Sequence, residues 1–516
     1  TTGTRNTAMG VDALQECTTG DDNTAIGYNA LENPTTADNN TAVGSYALTA
    51  NTTGSGNVAV GAEALKDNTT GTQNVSVGRN CLSSNTTASY NVAVGHNNLE
   101  TNTTGASNVA IGDGVLNANT SASHNVGVGF RALLTNSTGA GNVALGSYAL
   151  ELSTTGDYNT AIGYEALEIN TTGGANVAVG AFALDANTTG TNNTSVGVGA
   201  LGSNTTADDN TAVGLQAMNA NTTGNSNVAV GHDALEKNTT GSYSVAIGLE
   251  ALENSVQGNG SVAIGYKALH ASTESNYQVA IGFEALESAT SAATGNVMMG
   301  YRCGHNLTTG DDNVALGYAA MYAITEASRN VAIGMNALYA VTDAGHDNIA
   351  IGYNAGKAIT SGDQNITIGS EAGDAITTGG YNVAVGKGAL PGMSTGDYNT
   401  AMGFQSGLAL TTGTGNTLIG DEAGSNITTG SNNVCIGRDS GGAITTGAEN
   451  VSIGSYSLDA ITNATNNVAI GHYCLSGSAG SSNVAVGDNA GYQTTGSHCV
   501  YVGRYAGKDQ DSGDYN

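Results

Sequence analysis

The chain has no tryptophan, two prolines and four phenylalanines among 516 residues. So few bulky side chains cannot fill the interiors of the three or four globular domains that this length would ordinarily imply. Basic residues are also scarce: 13 Lys+Arg stand against 42 Asp+Glu, a formal charge of -29. Such a surface repels nucleic acid and anionic lipid, so neither is expected as a partner. There is no run of about 18 apolar residues, so no membrane insertion is expected. The six cysteines (17, 81, 303, 435, 474 and 499) are scattered over positions that elsewhere hold Asn, Ala or another small residue. They read as free core residues, not as a disulfide framework.

Glycine, by contrast, is abundant, with 76 copies, and much of it is periodic. The glycine that ends the phrase Asn57-Val58-Ala59-Val60-Gly61 stands at 10, 27, 44 and 61 and then every 17 residues to Gly282. It continues with slips of one residue from Gly300 to Gly503, making thirty copies. A unit this short cannot enclose a core alone and must bury its apolar residues against the units before and after it. The expected fold is therefore all-β, a parallel β-solenoid (β-roll) of about 30 coils of 17 residues, with no globular domain. With strands roughly 4.8 Å apart, the stack would be on the order of 140 Å long. Thr1 opens in mid-coil and Asn516 introduces another strand, so neither end reads as a cap. We expect either a piece of a longer polypeptide or end-to-end contacts.

With the phrase glycine as position 0, position −1 is aliphatic in all copies, −3 is Val, Ile or Thr, and −2 is mostly Ala. This alternation has the period of a strand. On the usual assignment of large residues to the inside, Val58, Val60, Val109, Ile111, Val245 and Ile247 form the core. Leu65, at +4, joins them. Position −2 then faces outward, and its restriction to small residues implies a neighbour lying close. Ala59, Ala93, Ala110, Ala144, Ala178 and Ala229 would form a contact face between chains, loosened at Met298, Leu418 and Tyr501.

Position +7 is mostly Asn across residues 1–299 and mostly Ile, Leu or Val across 300–516, which divides the solenoid into two stretches of different core chemistry. Several later coils pair Gly at +4 with a large residue at +7, as in Gly356/Ile359, Gly373/Ile376, Gly424/Ile427 and Gly441/Ile444. Exchange of volume between two positions marks both as inward, so Ile359, Ile376, Ile427 and Ile444 are core. The asparagines Asn51, Asn68, Asn85 and Asn102 should then form a buried amide ladder. Their Asn-Thr-Thr sequences are formally glycosylation acceptors, but a buried amide cannot carry sugar.

Chemistry-bearing motifs are weak. Gly197 to Gly202 fits a dinucleotide fingerprint, but no helix can follow within a 17-residue coil. Acidic turns such as Asp21-Asp22 do not recur in successive coils, as a calcium roll would require. No nucleophile, base and acid share matched positions. We expect no enzyme, no cofactor and no metal.

The phrases Ser244-Val245-Ala246-Ile247-Gly248 and Ser261-Val262-Ala263-Ile264-Gly265 resemble the head repeats of trimeric autotransporter adhesins. The fuller unit Gly214 to Val230 resembles the repeat region of tail-fibre-like proteins of phages and bacteria. The resemblance spans the chain, although the coil is longer than the adhesin's. It implies three chains side by side in an extracellular or virion-surface fibre that touches a surface, with a cell-surface glycan as the expected ligand there. The expected function is a stiff, protease-resistant structural shaft of a tail fibre, adhesin or self-assembling filament, with the chain itself as partner. The alternative is an ice- or polysaccharide-binding solenoid that uses the threonine rows.

Overall fold

The computed structural model describes residues 2–290, 292–509 and 514. It is a parallel β-solenoid in two units, Thr1–Asn259 and Gly260–Asn516, with no α-helix among the described residues. The first unit contains fifteen strands, from Thr7–Met9 to Val245–Ile247. Each of the first fourteen pairs in parallel with the strand 17 residues on, as Val58↔Val75 and Val228↔Val245. The second unit contains fifteen more, from Val262–Ile264 to Val500–Val502.

Most strands are three residues long, so the ladder's extent along the stack, not strand length, holds the backbone in place. In the second unit Val279 pairs with Val297 and Val331 with Ile349, while Val468 pairs with Val484 and Val484 with Val500. The one-residue slips are thus absorbed by the turns, and the strand phrase stays in register.

The phrase glycine is needed where it stands. Gly61 has φ 137°, and a Cβ there would lie 2.5 Å from the carbonyl oxygen of Gly78 in the next coil. The turn that follows alternates conformations, and the residues at +2 and +4 are left-handed, Glu63 at φ 61° and Leu65 at 51°. Leucine adopts this region rarely. Its side chain is completely buried in coil after coil, and packing outweighs the local strain.

The two strand faces are opposite to the sequence expectation. Ala59, Ala93, Ala110, Ala144, Ala178 and Ala229 are fully buried inside the coil and are not an outer contact face. Val58, Val60, Val109 and Val245 are only half-buried, and Ile111 and Ile247 are 40% and 38% exposed, so these six are not the core. Alternation shows which residues share a face; available volume decides which face turns inward. A coil of this length already holds Leu at +4 or Ile at +7, together with Ala at +3 and Asn at −4. Only the smallest member of the strand fits beside them.

Leu65, Ile359, Ile376, Ile427 and Ile444 are fully buried. Met298 and Leu418 are also interior, and Tyr501 is nearly so, which corrects their reading as loosened outer contacts. A Cβ on Gly304 would meet Met298 Sδ at 3.0 Å, one on Gly424 would meet Leu418 Cδ2 at 2.7 Å, and one on Gly507 would strike the Tyr501 ring. Glycine at +4 therefore makes room for a large residue at −2 as well as at +7.

Candidate functional site

Two asparagine columns run inside the coils. At −4, each side-chain oxygen accepts from the backbone N–H of the next asparagine, as Asn74 N to Asn57 Oδ1 at 3.0 Å. The amide also donates to a turn carbonyl, Asn74 Nδ2 to Ala88 O at 2.9 Å. At +7, Asn68 Nδ2 donates to Asn51 Oδ1 at 2.8 Å, Asn85 to Asn68 at 2.8 Å and Asn102 to Asn85 at 3.0 Å. All four are fully buried, which removes these acceptor sequences from the folded surface. These columns satisfy corner backbone groups that would otherwise be buried without partners.

The threonine rows are partly committed to the fold. Thr52 Oγ1 donates to Thr69 O and Thr69 Oγ1 to Thr86 O, each at 3.0 Å, and the pattern continues along the stack. The cysteines are buried and free. Burial pushes the Cys435 and Cys303 thiols up to about 12 and Cys474 to about 11, so none is poised as a thiolate.

The outward strand face carries aliphatics where a solvated sheet would carry polar residues. At −1 in the first unit, Ile111, Leu145, Ile162 and Ile247 are 38–42% exposed. Met299, Leu316, Ile333, Met402 and Ile470 have the same range of exposure in the second unit. With the half-buried Val, Ile and Thr at −3 they form two adjacent rows. Fifteen coils about 4.8 Å apart and two rows about 7 Å apart, with their side-chain width, cover on the order of 700 Å² per unit. That exceeds the largest apolar patch of most soluble monomers.

A second surface feature was not anticipated from the sequence. In the second unit, Tyr266, Phe283, Tyr301 and Tyr318, all at +1, stack with centroids 4.9, 5.4 and 4.9 Å apart. At +5, His305, Tyr322 and Tyr339 stack at 5.2 and 5.3 Å. The signal was present as aromatic residues recurring at one coil position. Between the two ladders lies a cleft of about 440 Å³ lined by Tyr301, Arg302, Tyr318, Ala319, Tyr322, Asn336, Tyr339 and Lys357.

Its upper edge is braced by charge. Arg302 Nε donates to Glu284 Oε2 at 2.6 Å while its guanidinium lies 5.3 Å from the Tyr301 ring centre. His305 Nε2 lies 2.7 Å from Glu287 Oε2 and 3.5 Å from Glu284 Oε2. These three side chains have the types and proximity of a cation-binding group. The nearer Glu284 oxygen is already held by Arg302, and the guanidinium would oppose a cation there. The cluster is better read as support for the ring ladders.

The chain matches no protein-family model and no curated protein.

Proposed function

We propose that this chain is the structural shaft of an extracellular fibre, assembled from copies lying side by side along their outward strand faces. The observation that carries the reading is the outward strand face, a row of part-exposed aliphatics at −1 beside a half-buried row of Val, Ile and Thr at −3. Each unit offers nearly the ~800 Å² that each partner contributes to a standard stable interface. A second copy is the occupant because the face repeats with every coil, and only a surface of the same period can match it along its length. The rows carry no charge, so chains of net charge -29 can meet there while their acidic turns remain apart.

The mechanism is mechanical. Continuous parallel ladders and buried amide columns resist bending and deny a protease the local unfolding it needs. The resemblance to adhesin heads and tail fibres supports an assembly of three. Whichever polymer the shaft serves, a tail fibre or a surface adhesin, its role does not involve catalysis.

The test is the native mass. Sedimentation should give a multiple of 51.1 kDa for the wild type, and a monomer would refute lengthwise association. Ile162→Lys with Val179→Lys, in adjacent coils on the outward face, should release folded monomers. Ala178→Lys, directed inward, should instead disrupt the fold.

A further inference from the structure

We propose that the cleft between the two aromatic ladders of the second unit binds an acidic saccharide, a function separate from the shaft and independent of that reading. The cleft exists because one side chain is small. Position +2 lies between the ladder positions +1 and +5, and neighbouring coils fill it with Glu284, Arg302, Asn336 or Asn354. Ala319 leaves the space open and forms the floor, 5% exposed. Gly388 is as small, but it is flanked by Lys387 and Pro391, so no ring walls form there.

The walls are four phenols and contain no purely apolar ring. Tyr301 and Tyr318 are parallel within 9°, and Tyr322 and Tyr339 within 7°. The ring faces are engaged within each stack, so the cleft is offered phenol edges and hydroxyls, which together with the Asn336 amide meet the hydroxyls of a pyranose. The rings are already held by their stack, so little side-chain freedom is lost on binding. The volume of about 440 Å³ falls within the range of small-ligand sites.

Charge selects the class of sugar. Arg302 is engaged by Glu284, whereas Lys357 lines the cleft and, beyond its attraction for the Asp374 carboxylate, has no ion pair among the described residues. A carboxylate on the sugar would complete it. Elsewhere the acidic surface disfavours such a ligand, so binding should be confined to this cleft.

The experiment titrates the full chain with a galacturonic acid trisaccharide and with its uncharged galactose counterpart, followed by calorimetry. Saturable binding of the acidic sugar, at least tenfold tighter than the neutral one, is expected. Ala319→Gln should weaken it at least tenfold. Gln216 and Gln405 occupy the same coil position at φ 54° and 49°, against 51° for Ala319, so this variant keeps the fold. Lys357→Gln should bring the two sugars within about twofold of each other. Absence of saturable acidic-sugar binding, including through closure of the cleft by another copy, would overturn the proposal. So would binding that Ala319→Gln leaves within twofold, or a preference that survives Lys357→Gln.

Discussion

The +7 asparagine ladder of the first unit is interrupted at a single residue, and mending it should stabilise the fold. The column runs Asn102, Asn119, Asn136 and resumes at Asn170, with Ser153 between. The hydroxyl of serine is too short to reach either neighbour. Asn136 Oδ1 and Ser153 Oγ are consequently buried with no hydrogen-bond partner, and Asn170 Nδ2 has only Gly173 O, at 2.9 Å. Backbone geometry at the gap matches the rest of the column: Ser153 N donates to Leu150 O at 3.2 Å, as Asn136 N does to Leu133 O at 3.2 Å. Ser153→Asn therefore places an amide between two existing amides, donating to Asn136 Oδ1 and accepting from Asn170 Nδ2. An unsatisfied buried polar atom costs about 1–3 kcal/mol. With one such atom repaired outright and a second replaced by a paired group, the expected gain is about 1.5–3 kcal/mol. Solenoids open locally, so the measurement is hydrogen exchange of the amides from 150 to 155, which should slow roughly tenfold to a hundredfold. Ser153→Ala is the control, since it removes one orphan and leaves Asn136 unpaired. Equal protection in the two variants, or a loss in Ser153→Asn, would refute the ladder as a source of stability.

Volume exchange inside the coil should be measurable by a double-mutant cycle. Gly424→Ala puts a Cβ 2.7 Å from Leu418 Cδ2 at φ 59° and should cost about 2–4 kcal/mol, while Leu418→Ala leaves a cavity costing about 2–5 kcal/mol. The pair together should fall short of their sum by at least about 1 kcal/mol in the exchange of the Thr417–Ile419 amides; strict additivity would mean that the two positions do not share one space. The buried thiols give a pH dependence with a defined sign. Burial raises Cys303, Cys435 and Cys474 from an ordinary value of 9.0 to about 12, about 12 and about 11. Above pH 9 the unfolded chain loses these protons first, so stability present below that point declines as pH rises toward 12. Folded protein at pH 8 should resist alkylation at all three sites, and rapid labelling there would contradict their burial.

The solenoid is legible in the sequence because its period is. The spacing of Gly10, Gly27, Gly44 and Gly61 fixes the coil, and the exchange of Leu at +4 for Ile at +7 fixes two inward positions without coordinates. The orientation of the strand was not legible by the same means. Val58 and Val60 alternate with Ala59 whichever way the strand turns, and the rule that large aliphatics go inside assumes an interior wide enough for them. The cross-section supplied the missing fact. The same comparison of copies could have found it: Met298, Leu418 and Tyr501 each precede a glycine by six residues, which is volume exchange between −2 and +4. The ring cleft was missed for a different reason. It depends on residues at +1, +2 and +5 in neighbouring coils, a relation visible only once the coils are stacked.

The inward alanine also bears on why the outward rows are aliphatic. A polar outer face would satisfy the single chain, since Ile111 and Ile162 are 40% and 39% exposed and lie outside the coil interior. β-Branched residues do favour the extended backbone, but threonine would serve as well, and it occurs at −3 in Thr24, Thr41, Thr160 and Thr194. Position −1 never takes it. In all thirty copies that position is Val, Ile, Leu or Met, which differ in β-propensity and in shape but agree in lacking a hydrogen-bonding group. Strand propensity would have admitted threonine and excluded methionine. What the position excludes is polarity, and a site on the surface of the single chain has reason to exclude polarity only if it becomes dry. The buried −2 row forms the interior of the coil, and the apolar −1 row is the face that, in the assembly we propose, becomes a second interior between chains.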